Sequence, residues 1–171
     1  MLTGHSLSEG DLYKGLLEHA RRANGRIIVA CFGSNVARLH TLAKVAQETG
    51  RYPALLGRSL HNYYGAARRS QLWTLDQSFI ESQHLGYLPR QDVFAVATGS
   101  QGESGAAVSR LAARNHPALQ LEVGDTVIFS SRVIPGNEES LERLCDSLRA
   151  RGVDVIQDEH SLPIHASGHP A

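Results

Sequence analysis

His165, Ser167 and His169 stand together in His165-Ala166-Ser167-Gly168-His169, close to the end of a chain of 171 residues. Imidazole and hydroxyl groups can donate several hydrogen bonds to a phosphate, and a histidine at a scissile bond can act as acid or base. Spacing of four on a helix would put both rings on one face, as in metal-binding pairs, whereas Ser167-Gly168 between them favours a loop. A frayed, exposed C-terminus is the structural alternative. Similar small polar residues recur where strands should end. They are Phe32-Gly33-Ser34-Asn35, Thr98-Gly99-Ser100-Gln101-Gly102-Glu103, and Ser130-Ser131-Arg132 leading to Pro135-Gly136-Asn137-Glu138. Each alone reads as a turn, with Asn35 as an N-cap. Together they suggest a phosphate-gripping surface, to which Arg58 in Gly57-Arg58-Ser59 could add a bidentate contact or simply sit in solvent.

The chain shows no strongly placed carboxylate pair, Ser/His/Asp order, GxxxxGK[ST] loop or HxHxDH cluster. Autonomous catalysis therefore has no visible engine. Seventeen Lys plus Arg balance seventeen Asp plus Glu, so any attraction to nucleic acid must be local. Nine histidines are many, but they are spread from His5 to His169 rather than clustered. Cys31 and Cys145 lack CxxC spacing and predict reduced core thiols of a cytoplasmic protein. No apolar run approaches the ~20 residues that span a bilayer, which predicts a chain without membrane association.

The elements that must position these loops alternate short apolar runs with amphipathic stretches, each change marked by Gly. That pattern predicts an α/β, three-layer sandwich of βαβ units around a mostly parallel sheet. Strands are expected at 26–31, 52–56, 92–97, 125–130 and 153–156, the last as a central strand. Helices are expected from Ser6 to Ala23, from Asn35 to Gly50, from Ser59 to Arg69, across Ala107, Val108 and Leu111, and from Asn137 to Gly152. Residues 70–88 show no period and are expected to be irregular. Trp73, Phe79 and Tyr87 there could stack bases, or serve packing or an interface. Ligands of such a sheet bind beyond the strands' carboxyl ends, where loop N–H groups and helix N-termini favour anions.

Five motifs in one order carry a family resemblance. Phe32-Gly33-Ser34-Asn35 with Arg38, Gly57-Arg58-Ser59, Thr98 to Glu103, Ile134-Pro135-Gly136-Asn137-Glu138 and His165 to His169 closely resemble the β-CASP domain of bacterial ribonuclease J. The resemblance covers nearly the whole chain and implies a Rossmann-like unit, residues 1–171, that lacks the metallo-β-lactamase domain into which it is normally inserted. RNA would lie between the two domains. The implied reaction is RNA phosphodiester hydrolysis, internal and 5′ to 3′, with zinc activating water in the companion domain and no cofactor in this segment. His165, Ser167 and Gly168 would hold the phosphate at the cleavage site, and His169 would stabilise or protonate the leaving group. Ser34 and Asn35 would take the next phosphate, while Ser100, Gln101 and Glu103 line the RNA path. The family's metal motif and the acidic partner of the final histidine are expected outside the segment. Gly33 stands where Ala is usual, Ser104 where Pro is frequent, and 70–85 match poorly. The chain begins near the insertion point and stops two residues after Ser167-Gly168-His169, as an excised domain would.

Two other classes remain open on the residues. A stand-alone Rossmann-like module binding a nucleotide or a protein would use the same loops, and a homodimerisation unit would use Trp73 and the irregular segment.

Overall fold

Successive side chains of a strand point to opposite faces of a sheet, and these strands are apolar at nearly every position, so helices must cover both faces. The structure, a computed structural model, describes residues 9–32, 36–76 and 78–157. Its elements are α1 (Glu9–Arg22), β1 (Ile27–Ala30), α2 (Val36–Glu48), β2 (Tyr52–Leu56), α3 (Arg58–Arg69), β3 (Val93–Ala97), α4 (Ala107–Ala112), β4 (Thr126–Phe129), α5 (Glu138–Ala150) and β5 (Asp154–Gln157), with a 3₁₀ helix at Ser82–Tyr87. The sheet has five strands, all parallel, in the order β2-β3-β1-β4-β5. Strand and helix positions agree with the sequence expectation to within a residue or two, apart from α1. The expected start of α1 at Ser6 and the expected N-cap at Asn35 lie outside the described residues. One position is corrected. The last strand is not central but an edge, pairing only with β4 among the described residues, and it is partly exposed throughout.

Ile27, Val29, Phe94, Val96, Leu55 and Ile128 face Leu12, Leu16, Leu39, Leu42, Leu60 and Tyr64 of α1, α2 and α3. Ile28, Ala30, Ala95, Ala97, Val127 and Phe129 face Val108, Leu111, Leu141, Leu144 and Leu148 of α4 and α5, together with Leu85. The sheet is thus buried on both sides, as its almost unbroken apolar strands require. The 70–88 segment has a topological task that explains its lack of period. Phe79 packs on the α2–α3 face and Ile80 on the α4–α5 face. Between them the chain rounds the edge of β2, where the Ile80 N–H donates to the Pro53 carbonyl at 2.8 Å. Trp73 packs against His40, Tyr64 and Phe79, with centroid distances of 4.3, 4.9 and 5.6 Å, so this aromatic group serves packing. Tyr87 is 88% exposed. No described helix is long and apolar enough to cross a membrane.

After β1 the chain moves toward β2, and after β4 it moves toward β5. The carboxyl ends of β1 and β4 therefore diverge into a crevice, the usual place for a ligand in an open α/β sheet.

Candidate nucleic-acid interface

The crevice is built by loops that extend the strand ladder. Cys31 N–H donates to the Ala97 carbonyl at 3.1 Å, Ser130 N–H to Ala30 at 2.9 Å, and Thr98 N–H to Leu56 at 3.1 Å. Across it, Arg38 from the first turn of α2 is almost fully buried and donates through Nη1 to the Ser130 carbonyl at 2.7 Å and to Ser130 Oγ at 3.0 Å. A guanidinium is thereby fixed at the β1–β4 divergence against neutral oxygens. Beside it, burial pushes the Cys31 thiol up to about 12, with Arg38 opposing the shift, so the sulfur is a protonated core group and not a nucleophile.

The 98–103 loop is joined to the 130–137 loop through Gln101. Gln101 Nε2 donates to the Arg132 carbonyl at 3.0 Å and approaches Ser100 Oγ at 3.5 Å, while Oε1 accepts from Ile134 N–H at 2.8 Å and Asn137 Nδ2 at 3.4 Å. Those four contacts use the amide's two donor hydrogens and both acceptor positions. Gln101 N–H is held by Glu103 Oε1 at 2.9 Å, and Ser140 Oγ donates to the Gln101 carbonyl at 3.0 Å. Gly102 permits this approach, since a Cβ there would lie 2.7 Å from the Ser140 carbonyl and its φ is +80°.

Of the residues expected to contact RNA, the structure brings Ser100, Gln101 and Glu103 into this one loop. Ser100 and Gln101 are buried, and Glu103 is exposed. The Gln101 amide ties the two loops together. Ser34, Asn35, His165, Ser167, Gly168 and His169 lie outside the described residues. Asn137 behaves differently from a standard cap. It occupies the N-cap position of α5 without a side-chain cap bond, and its amide turns to Gln101 instead.

The helix N-termini at this edge are not equivalent. Glu138 and Glu139 occupy the first turn of α5, and Glu138 Oε1 accepts from Gly136 N–H at 2.9 Å, so this end already holds negative charge. The first turns of α2 and α3 contain no acidic residue, and the positive end of a helix favours an anion. Sequence reading missed the roles of Ser130 and Ser140. A hydroxyl directly after a buried strand and one at the third position of a helix are the weak signals that could have found them. Among the described residues, no group of three His, Cys, Asp or Glu is placed to hold a metal ion.

A family model described as the β-CASP domain of ribonuclease J matches residues 24–148. Among curated proteins, the chain is 36% identical to a ribonuclease J of Sinorhizobium meliloti over 167 residues, covering 98% of the chain and 29% of that protein. It is 40% identical to a ribonuclease J 1 of Streptococcus pyogenes over 163 residues, covering 95% of the chain and 29% of that protein. It is 34% identical to a ribonuclease J of Thermus thermophilus over 166 residues, covering 97% and 29%. The chain thus spans less than a third of the length of the curated relatives it matches.

Proposed function

Because this chain belongs to the β-CASP domain family of ribonuclease J, we propose that its sheet's carboxyl edge is the phosphate-binding half of an RNA-cleaving cleft. The companion metallo-β-lactamase domain is the other half. The observation that supports this reading is the β1–β4 crevice, where Arg38 is fixed on Ser130 beside an acid-free helix N-terminus. RNA phosphates run past the ends of α2 and α3. His165, Ser167 and Gly168 hold the phosphate at the cleavage position, Ser34 and Asn35 hold its neighbour, and His169 stabilises or protonates the leaving oxygen. Glu103 borders the path, while Gln101 and Ser100 set the loop's shape.

The described residues do not fit a zinc site. The family's zinc is assigned to the companion domain. This segment binds RNA without hydrolysing it. Half a cleft on a chain of zero formal charge offers few phosphate contacts, so the dissociation constant falls at about 10⁻⁴ to 10⁻⁶ M or weaker.

The test is titration of a 5′-monophosphorylated RNA oligomer, followed by amide shifts, in the unaltered chain and in a His165→Ala, Ser167→Ala double variant. Shifts converging on the 98–103 loop and the α2 start, weakened in the variant, support the reading. Unchanged affinity in the variant would remove the phosphate clamp, and zinc-dependent RNA turnover by this chain alone would remove the division of labour.

A further inference from the structure

At the amino edge of the sheet, opposite the loops described above, a cavity of about 760 Å³ opens between the 114–123 connection, the start of β1 and the end of α5. Arg26, Arg114, His116, Glu122 and Arg151 line it. Its charges do not cancel. Arg26 is matched by Asp125 at 2.9 Å and Glu122 at 3.1 Å. Arg151 spends its Nη1 and Nη2 donors on the carbonyls of Leu111 at 2.6 Å, Ala112 at 3.3 Å and Leu121 at 2.7 Å, which are neutral acceptors that leave its charge intact. Its Nε is buried without a partner among the described residues. Arg114 is exposed, takes a left-handed φ of +64°, and has no ion pair to its guanidinium among the described residues.

Like charges face one another around this wall. Burial first, and then Arg114, lowers the Arg151 pKa, with Asp125 opposing the shift. Burial first, and then Arg110, lowers that of His116. The Ala118 N–H donates to His116 Nδ1 at 3.1 Å, so a neutral His116 carries its hydrogen on Nε2 as a further donor. The cavity is several times larger than an inorganic phosphate needs, and beside the cations it offers the apolar surface of Pro117 and Ala118.

We propose that this cavity binds a nucleoside phosphate, with its phosphates against Arg114 and Arg151 and its base over Pro117 and Ala118. The exposed Arg114 guanidinium can give a charge-assisted, bidentate contact that no described carboxylate takes up, while Arg151, its Nη donors engaged, contributes its charge. The inference does not rest on the carboxyl-edge reading, because the two sites report through different residues.

ADP, adenosine and inorganic phosphate are titrated separately into the chain at low salt and followed by amide shifts, with Arg114→Glu and Arg114→Lys alongside. ADP is expected to shift residues 114–123 and Arg151 and to bind about tenfold more tightly than either fragment. Arg114→Glu is expected to weaken ADP about tenfold or more, and Arg114→Lys much less. Any one of three results would overturn the proposal. They are no shift at millimolar ADP, equal affinity in Arg114→Glu, or shifts confined to the carboxyl-edge loops. Phosphate binding as tightly as ADP would overturn the nucleoside assignment.

Discussion

The two ends of the same sheet are held in opposite ways. At the amino edge, Asp125 has no exposed side-chain surface and gathers Arg26 Nη1 at 2.9 Å, Arg90 Nη2 at 2.8 Å, and the N–H groups of Arg26 and Glu122 at 2.9 and 2.8 Å. Nearby, Arg51 is clamped on the carbonyls of Gly25, Val93 and Ala23 at 2.8, 3.0 and 3.0 Å. At the carboxyl edge the joints are hydroxyls, one amide and glycines, and the only buried guanidinium described there is Arg38. Ionic and multidentate bonds lock the end where strands begin. Short-range bonds shape the end where strands stop, mostly neutral ones, with Glu103 and Glu138 each holding one backbone N–H, and small donors lie where a polyanion can meet the chain.

Replacing Asp125 with Ala should produce the largest effect and sharpen the contrast. It removes the buried carboxylate that two guanidinium groups share, leaving them Glu122 as their one described carboxylate at 3.1 and 3.2 Å, and it unpairs two backbone N–H groups, a loss of about 3 kcal/mol. Denaturant unfolding measures it, and the amide shifts of the 98–103 loop in the still-folded fraction should barely move. A loss under about 1 kcal/mol would mean that water satisfies the arginines and that the amino edge is no firmer than the carboxyl edge.

Gly102→Ala is the matching break at the other end. The new methyl would meet the Ser140 backbone at 2.7 Å at a φ of +80°, so strain of about 1 to 3 kcal/mol is expected. Its damage should be local, with hydrogen exchange accelerating in 98–106 and the first turn of α5 while the central strands stay protected. Gln101→Leu follows at about 1 to 2 kcal/mol, because it leaves the Ile134 N–H and Arg132 carbonyl without their partner. Under the proposed function it also weakens binding of 5′-phosphorylated RNA by moving the loop. Unchanged affinity in a folded Gln101→Leu chain would show that the two loops need not be joined.

The sheet and its helices were legible because their signals are local and repeated: unbroken apolar runs such as 93–97, the apolar stripe Leu141, Leu144 and Leu148, and Gly152 after α5. The loops that follow the strands were legible as composition, but the direction in which Gln101 points was not. Whether an amide faces solvent or a neighbouring loop depends on a partner 33 residues away, Ile134, and no period encodes that. The edge position of β5 was missed for a related reason. Apolar strands buried on two faces and edge strands half-covered look alike over four residues, and strand order is set by crossovers rather than by the strand itself. The turn round β2 hid for the opposite reason, since a segment that passes from one face to the other has no single face to repeat.

The smallest expected effect follows from protons. In Asp125, burial alone would raise the carboxyl pKa, but hydrogen bonds from the Glu122 and Arg26 N–H groups and from the Arg90 and Arg26 side chains hold it below the ordinary 3.8. The unfolded chain then binds more protons in the window below 3.8, so this stabilisation is complete above that pH and is lost as pH falls through the folded value. His40 and His116 are lowered from 6.5, each chiefly by burial, with Lys44 and Arg110 adding to the shift. Here too the unfolded chain binds the extra proton, so stability is full above about 6.5 and declines as pH drops below it. Acid titration of unfolding should therefore show two separate declines, a shallow one starting near pH 6.5 and a second below pH 4. His116→Gln should reduce only the first, with His40 still contributing, and Asp125→Asn only the second. His116 and Asp125 both belong to the amino edge, so at pH 7 the RNA-induced shifts in 98–103 should be the same in folded His116→Gln and Asp125→Asn as in the unaltered chain. A change in those shifts in either folded variant would couple the two edges and erase the electrostatic difference between them.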